Sequence, residues 1–387
     1  MIYIRMRRLL AIVLLFVLAA LFLLPHGFVT SAQKQTGTRP AKPKPAPRPK
    51  ASPTPTPGSL DALGAPPPVP TFKQKEQEVT PGDVISVNTT EVMIPVTVRD
   101  SSGRLVNALT RDDFRVFEND SQQPLSDLAL RQVPVDVVLM VDASSSVATN
   151  LDDFRRAAEG FAGRLASDDR ISLIKFDDRV ELLQDWTHSR FQLQRALRRI
   201  EPGMFTRFND ALLLAARDQF GTTKSRRAVI VLSDGIDSGR GTATLEAALQ
   251  ELLKAQVSVY VVSNTEISRA AKRSELDALM GNPSDAAVRF NQIRIGDLRE
   301  GLRVLDLSEQ MLAQLTAATG GRLYKPQTFA GLEATYAEVA EELRHQYALY
   351  YTPLNKARDG GFRRVRVEMT NPTYKGHTRV GYFAPKL

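Results

Sequence analysis

The stretch VVLMVDASSSVATN, Val137 to Asn150, decides the fold of this chain. It opens with five consecutive apolar residues, a pattern typical of a parallel strand that is buried on both faces. One aspartate and three serines follow directly, so the strand ends in oxygen-bearing side chains. Two interpretations are open: Ser144 or Ser146 caps a helix that starts near Val147, or Asp142 joins the two serines in binding a metal ion.

The residues after this stretch indicate alternating helices and strands. Apolar residues from Val147 to Leu165 recur at steps of four and three, which predicts one buried face of a helix. RISLIKF predicts a strand, and RAVIVL and VSVYVV predict two further buried strands, with helical patterns between and after them. We therefore expect an α/β fold, a doubly wound and mostly parallel sheet with helices on both faces, over residues 133–345.

Shorter strands with antiparallel character flank this unit. EVMIPVTVRD and FRVFEND precede it in residues 83–132, and YALYYTP, FRRVRVEM and RVGYFAP follow it in residues 346–387. Apolar and polar residues alternate in these segments, as in strands with one buried face. We predict that the two flanking segments fold together into one β-sandwich, into which the α/β unit is inserted.

Charge and composition exclude several classes of protein. The formal net charge of the 387 residues is +8, and counting charged side chains assigns all of it to residues 1–80. The remainder is close to neutral, which argues against a nucleic-acid-binding domain, because such domains carry a basic surface. The absence of cysteine excludes disulfides, zinc–thiolate sites and cysteine nucleophiles.

The N-terminus predicts export. Arg5, Arg7 and Arg8 precede an unbroken apolar run from Leu9 to Leu24, so residues 1–32 are expected to be either a cleaved signal peptide or an uncleaved membrane anchor. Residues 33–82 form a linker in which twelve of the 23 prolines fall between Pro40 and Pro70. Such a segment is extended and semi-rigid. We expect residues 33–387 to lie outside the cytoplasm, in the cell envelope or secreted.

Three oxygen-rich sequences lie at or just after the ends of predicted strands. They contain Asp142, Ser144 and Ser146, then Thr206 in GMFTRFNDAL, and then Asp234 in VLSDG. Ligands in doubly wound folds bind at the carboxyl ends of strands, and Mg²⁺ prefers six oxygen ligands. The sequence thus predicts a Mg²⁺ site, which could also take Mn²⁺ or Ca²⁺, formed by these five side chains.

The same residues resemble a known family. Asp142-x-Ser144-x-Ser146, then Thr206 with Asp210-Ala211, then Asp234-Gly235, is similar to the von Willebrand factor type A (VWFA) domain and its metal-ion-dependent adhesion site (MIDAS). The flanking segments further resemble a bacterial VWFA-related family known from Acidobacteria, which extends the likeness to residues 83–387. The resemblance implies a secreted or membrane-tethered binding protein that is not an enzyme.

The chain departs from the family pattern in two places. Gly203-Met-Phe-Thr206 stands where Gly-Gly-Thr is more usual, which leaves the path of that loop open. The stretch 265–307 is longer than the family requires, and it is expected to be helical or partly mobile. Two roles are open for it: it shapes the surface that meets the partner, or it only packs against the domain. Asp237 is expected to lie outside the ligand set, and Asp210 to support Thr206 or to cap a helix.

The expected function is capture of a carboxylate-bearing protein partner through the metal, in adhesion or as a scaffold. One alternative is a structural envelope module without metal-dependent binding. A metal-dependent hydrolase is a weaker alternative, because the chain has no G-x-S-x-G and no P-loop motif, and its four histidines are far apart in sequence.

Overall fold

The described part of the chain begins just before the first strand. The computed structural model describes residues 91–130, 133–145, 147, 150–220, 225–281 and 285–386. The predicted export segment 1–32, the linker 33–82 and Ser146 of the candidate site lie outside these ranges. No helix within them is both long and apolar enough to cross a membrane.

Strands and helices alternate in the middle of the described chain, and strands dominate at both ends. The strands are β1 (Val92–Arg99), β2 (Phe114–Glu118), β3 (Ser121–Gln123), β4 (Leu125–Leu130), β5 (Val135–Asp142), β6 (Arg170–Phe176), β7 (Val180–Thr187), β8 (Arg226–Leu232), β9 (Ser258–Val262), β10 (Leu323–Tyr324), β11 (Tyr347–Tyr351), β12 (Phe362–Met369), β13 (Lys375–His377) and β14 (Gly381–Phe383). The helices are α1 (Leu151–Ala162), α2 (Arg190–Leu197), α3 (Phe208–Leu214), α4 (Leu245–Lys254), α5 (Thr265–Met280), α6 (Asp285–Thr319) and α7 (Leu332–Arg344).

The central sheet has the order β10-β9-β8-β5-β6-β7. All its strands are parallel except β7, which pairs antiparallel with β6. The sheet therefore confirms the predicted α/β, mostly parallel fold. It also contains one strand that the sequence analysis missed: β7 lies at the edge, is only partly buried, and so lacks the continuous apolar run of the inner strands.

The apolar run of β5 is explained by two separate cores. Val137, Leu139 and Val141 pack on one face of the sheet with α1, α2 and α7. Val138 and Met140 pack on the other face with α3, α4 and α6. Because both faces of the strand are covered, every residue of β5 is buried.

The helix after β5 begins later than predicted. We expected its start near Val147, but α1 begins at Leu151 with Asn150 as its N-cap residue. Val147 lies in the preceding turn, where its amide donates to the carbonyl of Ser144. Ser144 is thus seven positions before the first residue of the helix, and the interpretation of Ser144 as the helix cap is wrong.

The stretch 265–307 forms most of a helical hairpin. It contains α5 and the first part of α6, which is a single helix of 35 residues. The segment SEQMLAQLTAATGG contains the last part of α6 and the two glycines that follow it. This helix ends at Thr319, because Gly320 adopts a positive φ of 76° and lies against the backbone of Arg379, where a Cβ atom would clash.

The two flanks build a second structure together. One sheet has the order β13-β1-β11-β4 and the other β14-β12-β2-β3, so each contains strands from both ends of the described chain. Buried residues of both sheets, including Ile94, Tyr347, Val116 and Val365, form one core. This arrangement agrees with the predicted sandwich and its inserted α/β unit.

A buried ionic cluster joins the sandwich to the α/β unit. Glu342 of α7 accepts a hydrogen bond from Arg99 of β1 at 2.5 Å and one from the hydroxyl of Tyr324 in β10 at 2.8 Å. Arg322 lies 3.6 Å from the same carboxylate. Glu342 is fully buried, and its negative charge is balanced within the fold.

Candidate metal centre

Asp142 is the last residue of β5 and lies at the carboxyl edge of the central sheet. Its Oδ1 accepts a hydrogen bond from the amide of Ser144 at 2.8 Å, and its Oδ2 accepts one from the hydroxyl of Ser233 at 2.6 Å. Each carboxylate oxygen can accept more than one bond. The carboxylate is therefore fixed in orientation and still has lone pairs for a metal ion.

Asp234 follows β8, the neighbour of β5 in the sheet. Its Oδ1 accepts from the amide of Ile236 at 3.1 Å. The following Gly235 has a φ of +72°, and a Cβ atom there would come within 2.7 Å of Leu312 in α6. Glycine is thus required at this turn, which explains the Asp-Gly pair in the sequence.

Thr206 reaches the same edge through a loop held by hydrogen bonds. Its amide donates to the hydroxyl of Ser238 at 2.7 Å, and that hydroxyl donates to its carbonyl at the same distance. Ser238 follows Asp234 in the chain, so the Thr206 loop is joined directly to the Asp234 loop.

The unusual sequence before Thr206 has a defined path. The amides of Met204 and Phe205 donate to the carboxylate of Asp178 at 2.9 and 3.1 Å. The amide of Gly203 donates to the carbonyl of Ala143 at 2.8 Å. The loop is therefore also joined to the Asp142 strand end, and the three predicted oxygen-rich sequences meet at one edge.

Burial changes the acidity of the two carboxyl groups. Asp142 is 1% exposed and Asp234 is 6% exposed. Burial, together with the nearby charge of Asp234, raises the pKa of Asp142 to about 7. Burial also raises the pKa of Asp234. Neither residue forms an ion pair with a lysine or arginine in the described part of the chain, although the charge of Lys272 acts on Asp234 from a longer distance.

The donor set fits a hard divalent cation. It offers two carboxylates and the hydroxyls of Ser144 and Thr206, all of them oxygen ligands as Mg²⁺ prefers. Within the described ranges, no group of three or more His, Cys, Asp or Glu side chains could hold a metal. A centre here therefore depends on hydroxyl ligands as well as on carboxylates. Ser146, the fifth predicted ligand, lies outside the described residues.

Neighbouring acidic residues have other contacts. Asp237 accepts from the amides of Asn209 and Gly239, which places it at the start of α3; its position outside the ligand set stays a prediction. Asp210 accepts from Arg207, Thr242 and Ala243. Asp210 thus orders the loop before α4, and none of these contacts involves Thr206.

Sequence reasoning missed the residues that hold the ligands in place, namely Ser233, Asp178 and Ser238. Ser233 reaches Asp142 because Val141 pairs with Leu232, which brings the next residues of β5 and β8 level. The register of parallel strands is not visible in the sequence. The position of Ser233 directly before Asp234 was the available signal.

One known protein family matches the middle of the chain. Residues 137–236 match the family described as the von Willebrand factor type A domain, which confirms the resemblance for this part of the chain. The likeness of the flanks to the Acidobacteria family stays a prediction. Among curated proteins, none matches the chain.

Several solved structures resemble the chain at low sequence identity. Proximal thread matrix protein 1 from the mussel byssus, in a form described as having a zinc-occupied MIDAS motif, is 14% identical, with a TM-score of 0.40 over 57% of this chain and 48% of that one. A von Willebrand factor type A protein from Catenulispora acidiphila is 13% identical, with a TM-score of 0.40 over 66% and 50%.

An aerotolerance-related membrane protein from Bacteroides fragilis is 15% identical, with a TM-score of 0.38 over 54% of this chain and 98% of that one. The chain spans about half the length of the byssus and Catenulispora proteins.

Proposed function

We propose that the von Willebrand factor type A domain of this chain binds a divalent cation and uses it to capture a carboxylate-bearing protein partner. The ligands are Asp142, Ser144, Ser146, Thr206 and Asp234, and Mg²⁺ is the preferred ion, with Mn²⁺ or Ca²⁺ as substitutes. The role is adhesion or scaffolding, without catalysis.

The observation that carries this proposal is the pair of buried carboxylates, Asp142 and Asp234. Burying an ionised carboxylate is costly unless a positive charge compensates it. In the described part of the fold, no lysine or arginine forms an ion pair with either group, and the charge of Lys272 acts on Asp234 only from a longer distance. A bound cation supplies the missing charge, and it accounts for a site that would otherwise destabilise the protein.

A partner carboxylate follows from the chemistry of the ligand set. Hydroxyl ligands are neutral, so a Mg²⁺ ion in this site keeps net positive character and favours an anionic ligand from outside. The edge is also accessible, because Ser145 is exposed and Met204 is 73% exposed beside it. When bound, the ion supplies a Lewis-acidic contact for an oxygen anion, and the protein residues orient it.

The proposed function also requires that the domain is exported. Arg5, Arg7 and Arg8 before the apolar run Leu9–Leu24 support transfer of the domain across a membrane, as a cleaved or an anchored protein. The proline-rich linker 33–82 then acts as a spacer between the membrane and the domain. This arrangement suits a binding module in the cell envelope.

The test combines metal binding with partner capture. We expect calorimetry to show one Mg²⁺ bound to the wild type and none to Asp142→Ala, with circular dichroism unchanged between them. A pull-down from envelope extract should recover a partner in Mg²⁺, and EDTA or Asp142→Ala should abolish the recovery. Ser145→Ala is the matched control and should behave as wild type. If a partner is captured equally in EDTA, the domain is a structural module and the metal-dependent function is wrong.

A further inference from the structure

Phe205 places an aromatic ring directly before Thr206, one of the candidate metal ligands. Its amide donates to the carboxylate of Asp178 at 3.1 Å, so the backbone at this position is held. Its side chain is only partly buried, and neighbouring Cα atoms in a chain are about 3.8 Å apart. The ring therefore lies at the rim of the candidate metal centre, in the stretch where the sequence departs from the family pattern.

Arg240 stacks on this ring. The Cζ atom of its guanidinium lies 3.7 Å from the centre of the Phe205 ring, a separation typical of a guanidinium that lies flat on an aromatic face. Ser238, two residues earlier, donates to the carbonyl of Thr206 from its amide at 2.9 Å and from its hydroxyl at 2.7 Å. Two independent contacts thus place Arg240 beside the Thr206 loop.

The backbone on both sides of Arg240 is fixed by glycines. Gly239 adopts a φ of +66°, and its amide donates to the carboxylate of Asp237 at 2.7 Å. At Gly241, an added Cβ atom would clash with the carboxylate of Asp210. Because this tight course suits glycine at both positions, the arginine between them projects from a held turn.

The charge of Arg240 has no acidic partner in the described part of the chain. Its side chain is exposed and forms no ion pair or hydrogen bond with the described residues. The nearby carboxylates of Asp178, Asp210 and Asp237 accept hydrogen bonds from backbone amides, and Asp210 also pairs with Arg207. A guanidinium that stacks through its face keeps the N–H donors at its edge available for a carboxylate.

We propose that Arg240, held by Phe205, is a specificity-determining residue that binds a second acidic group of the partner, beside the carboxylate that the metal binds. The preferred partner is then a peptide segment with two neighbouring acidic side chains. Charge complementarity supports this partner, because a bound cation and the guanidinium would both attract anions at one rim. This inference rests on the metal-dependent capture proposed above.

The proposal predicts a change in selectivity without a loss of metal binding. The wild type should bind a peptide with two adjacent glutamates about three- to fivefold more tightly than a peptide with one, and Arg240→Gln should abolish this preference. Mg²⁺ affinity without peptide should stay within about twofold of wild type or rise slightly, because the substitution removes only a neighbouring positive charge.

Phe205→Leu tests whether the ring acts through the arginine. Leucine keeps an apolar side chain and the backbone bond to Asp178, but it has no aromatic face. The substitution should reduce the preference by about twofold in the wild type and should have no effect when Arg240 is already glutamine. This double-mutant cycle identifies Phe205 as the positioning residue of Arg240.

The experiment uses the full-length chain in mild detergent, with Mg²⁺ and two glycine-based hexapeptides with blocked termini as probes. One peptide carries a single glutamate and the other carries two adjacent glutamates. Calorimetry measures the affinity for Mg²⁺ alone and for each peptide in Mg²⁺. Arg273→Gln is the matched control, because it removes the same charge from an exposed residue of α5, and it should keep the wild-type preference.

Each other outcome is decisive. If Arg240→Gln keeps the preference, or if Arg273→Gln reduces it equally, the role of Arg240 is refuted. If Arg240→Gln also weakens Mg²⁺ binding strongly, the residue supports the fold of the site and is not a partner contact. If the wild type binds Mg²⁺ but does not prefer the peptide with two glutamates, the inferred partner class is wrong while the metal site stands. If the wild type binds no Mg²⁺, the proposed function itself fails, and this inference fails with it.

Discussion

Buried carboxylates at two places in this molecule differ in whether a neighbouring basic side chain forms an ion pair with them. Glu342, between the sandwich and the α/β unit, receives Arg99, Tyr324 and Arg322. Asp142 and Asp234, at the edge of the central sheet, accept hydrogen bonds from amides and from the hydroxyl of Ser233, and among the described residues they form no ion pair. Removing one partner of a buried ion pair is strongly destabilising, whereas buried carboxylates without an ion pair leave a charge that a bound cation can balance. The comparison thus separates a buried acid that is held by ion pairs from two buried acids that are not.

The largest predicted effect is the loss of stability when Glu342 is replaced. Glu342→Ala should destabilise the protein by about 3 kcal/mol, because it leaves Arg99 and Tyr324 without their buried acceptor. The side chain of Arg99 is partly exposed, which keeps the loss at the lower end of the range for buried pairs. Urea unfolding followed by circular dichroism measures this change, and Mg²⁺ affinity should not change in the folded variant.

Glu341→Ala is the matched control for this variant. Glu341 precedes Glu342 on the same helix, but its side chain is half exposed, so its loss should cost less than about 0.5 kcal/mol. Equal effects of the two substitutions would show that the junction does not depend on the buried charge.

Asp142 and Asp234 should instead make Mg²⁺ affinity and the stability of the metal-free protein depend on pH in opposite directions. In the metal-free protein, Asp142 keeps its proton up to about pH 7, whereas an unfolded aspartate loses it near pH 3.9. Between these values the folded state binds more protons, so the stability of the metal-free protein falls as pH rises. The slope is at most about 1.4 kcal/mol per pH unit for one group.

Mg²⁺ affinity should rise over the same pH range, because the ion displaces the proton. Thermal unfolding with and without Mg²⁺ between pH 5 and 8 measures both effects. Asp142→Asn provides the control: its metal-free stability should depend less on pH, and its Mg²⁺ binding should be lost. A wild-type stability that increases with pH in EDTA would contradict the assigned protonation.

The smallest predicted effect is a difference in Mg²⁺ affinity between variants of neighbouring serines. Ser144 is buried beside Asp142, and Ser145 is exposed, with only a 3.4 Å bond to the carbonyl of Met204. Ser144→Ala should weaken Mg²⁺ binding by about tenfold, as expected for loss of a metal ligand or its close support. Ser145→Ala should change it by less than twofold, and Ser146→Ala should resemble Ser144→Ala. Titration calorimetry distinguishes the three, and a large effect of Ser145→Ala would rule out this ligand assignment.

Much of the fold was accessible from the sequence because burial leaves a clear pattern. The inner strands β5, β8 and β9 are buried on both faces, and their continuous apolar runs identified them. The edge strand β7 has one free side and a mixed sequence, so no pattern marked it. The start of α1 was placed too early because Val147 is buried in a turn and extends the helical spacing by chance.

The candidate ligands were proposed from spacing and residue type, and their role stays a prediction. The structure brings together the loops that carry Asp142, Ser144, Thr206 and Asp234, but the residues that hold these loops were not predictable. The contacts of Asp178, Ser233 and Ser238 depend on strand register and loop path, which follow from the packing of distant segments.

The way in which the chain enters and leaves the α/β unit has a consequence for engineering. Leu130, near the exit from the sandwich, and Tyr347, at the return, are register partners on adjacent strands, so their Cα atoms are about 5 Å apart. The insertion point in the sandwich therefore needs only that the two ends of the inserted domain lie close together. Other domains whose N- and C-termini are adjacent meet this requirement. Exchange of the whole insert, with the tether and sandwich retained, is a direct route to display different binding domains on the same support.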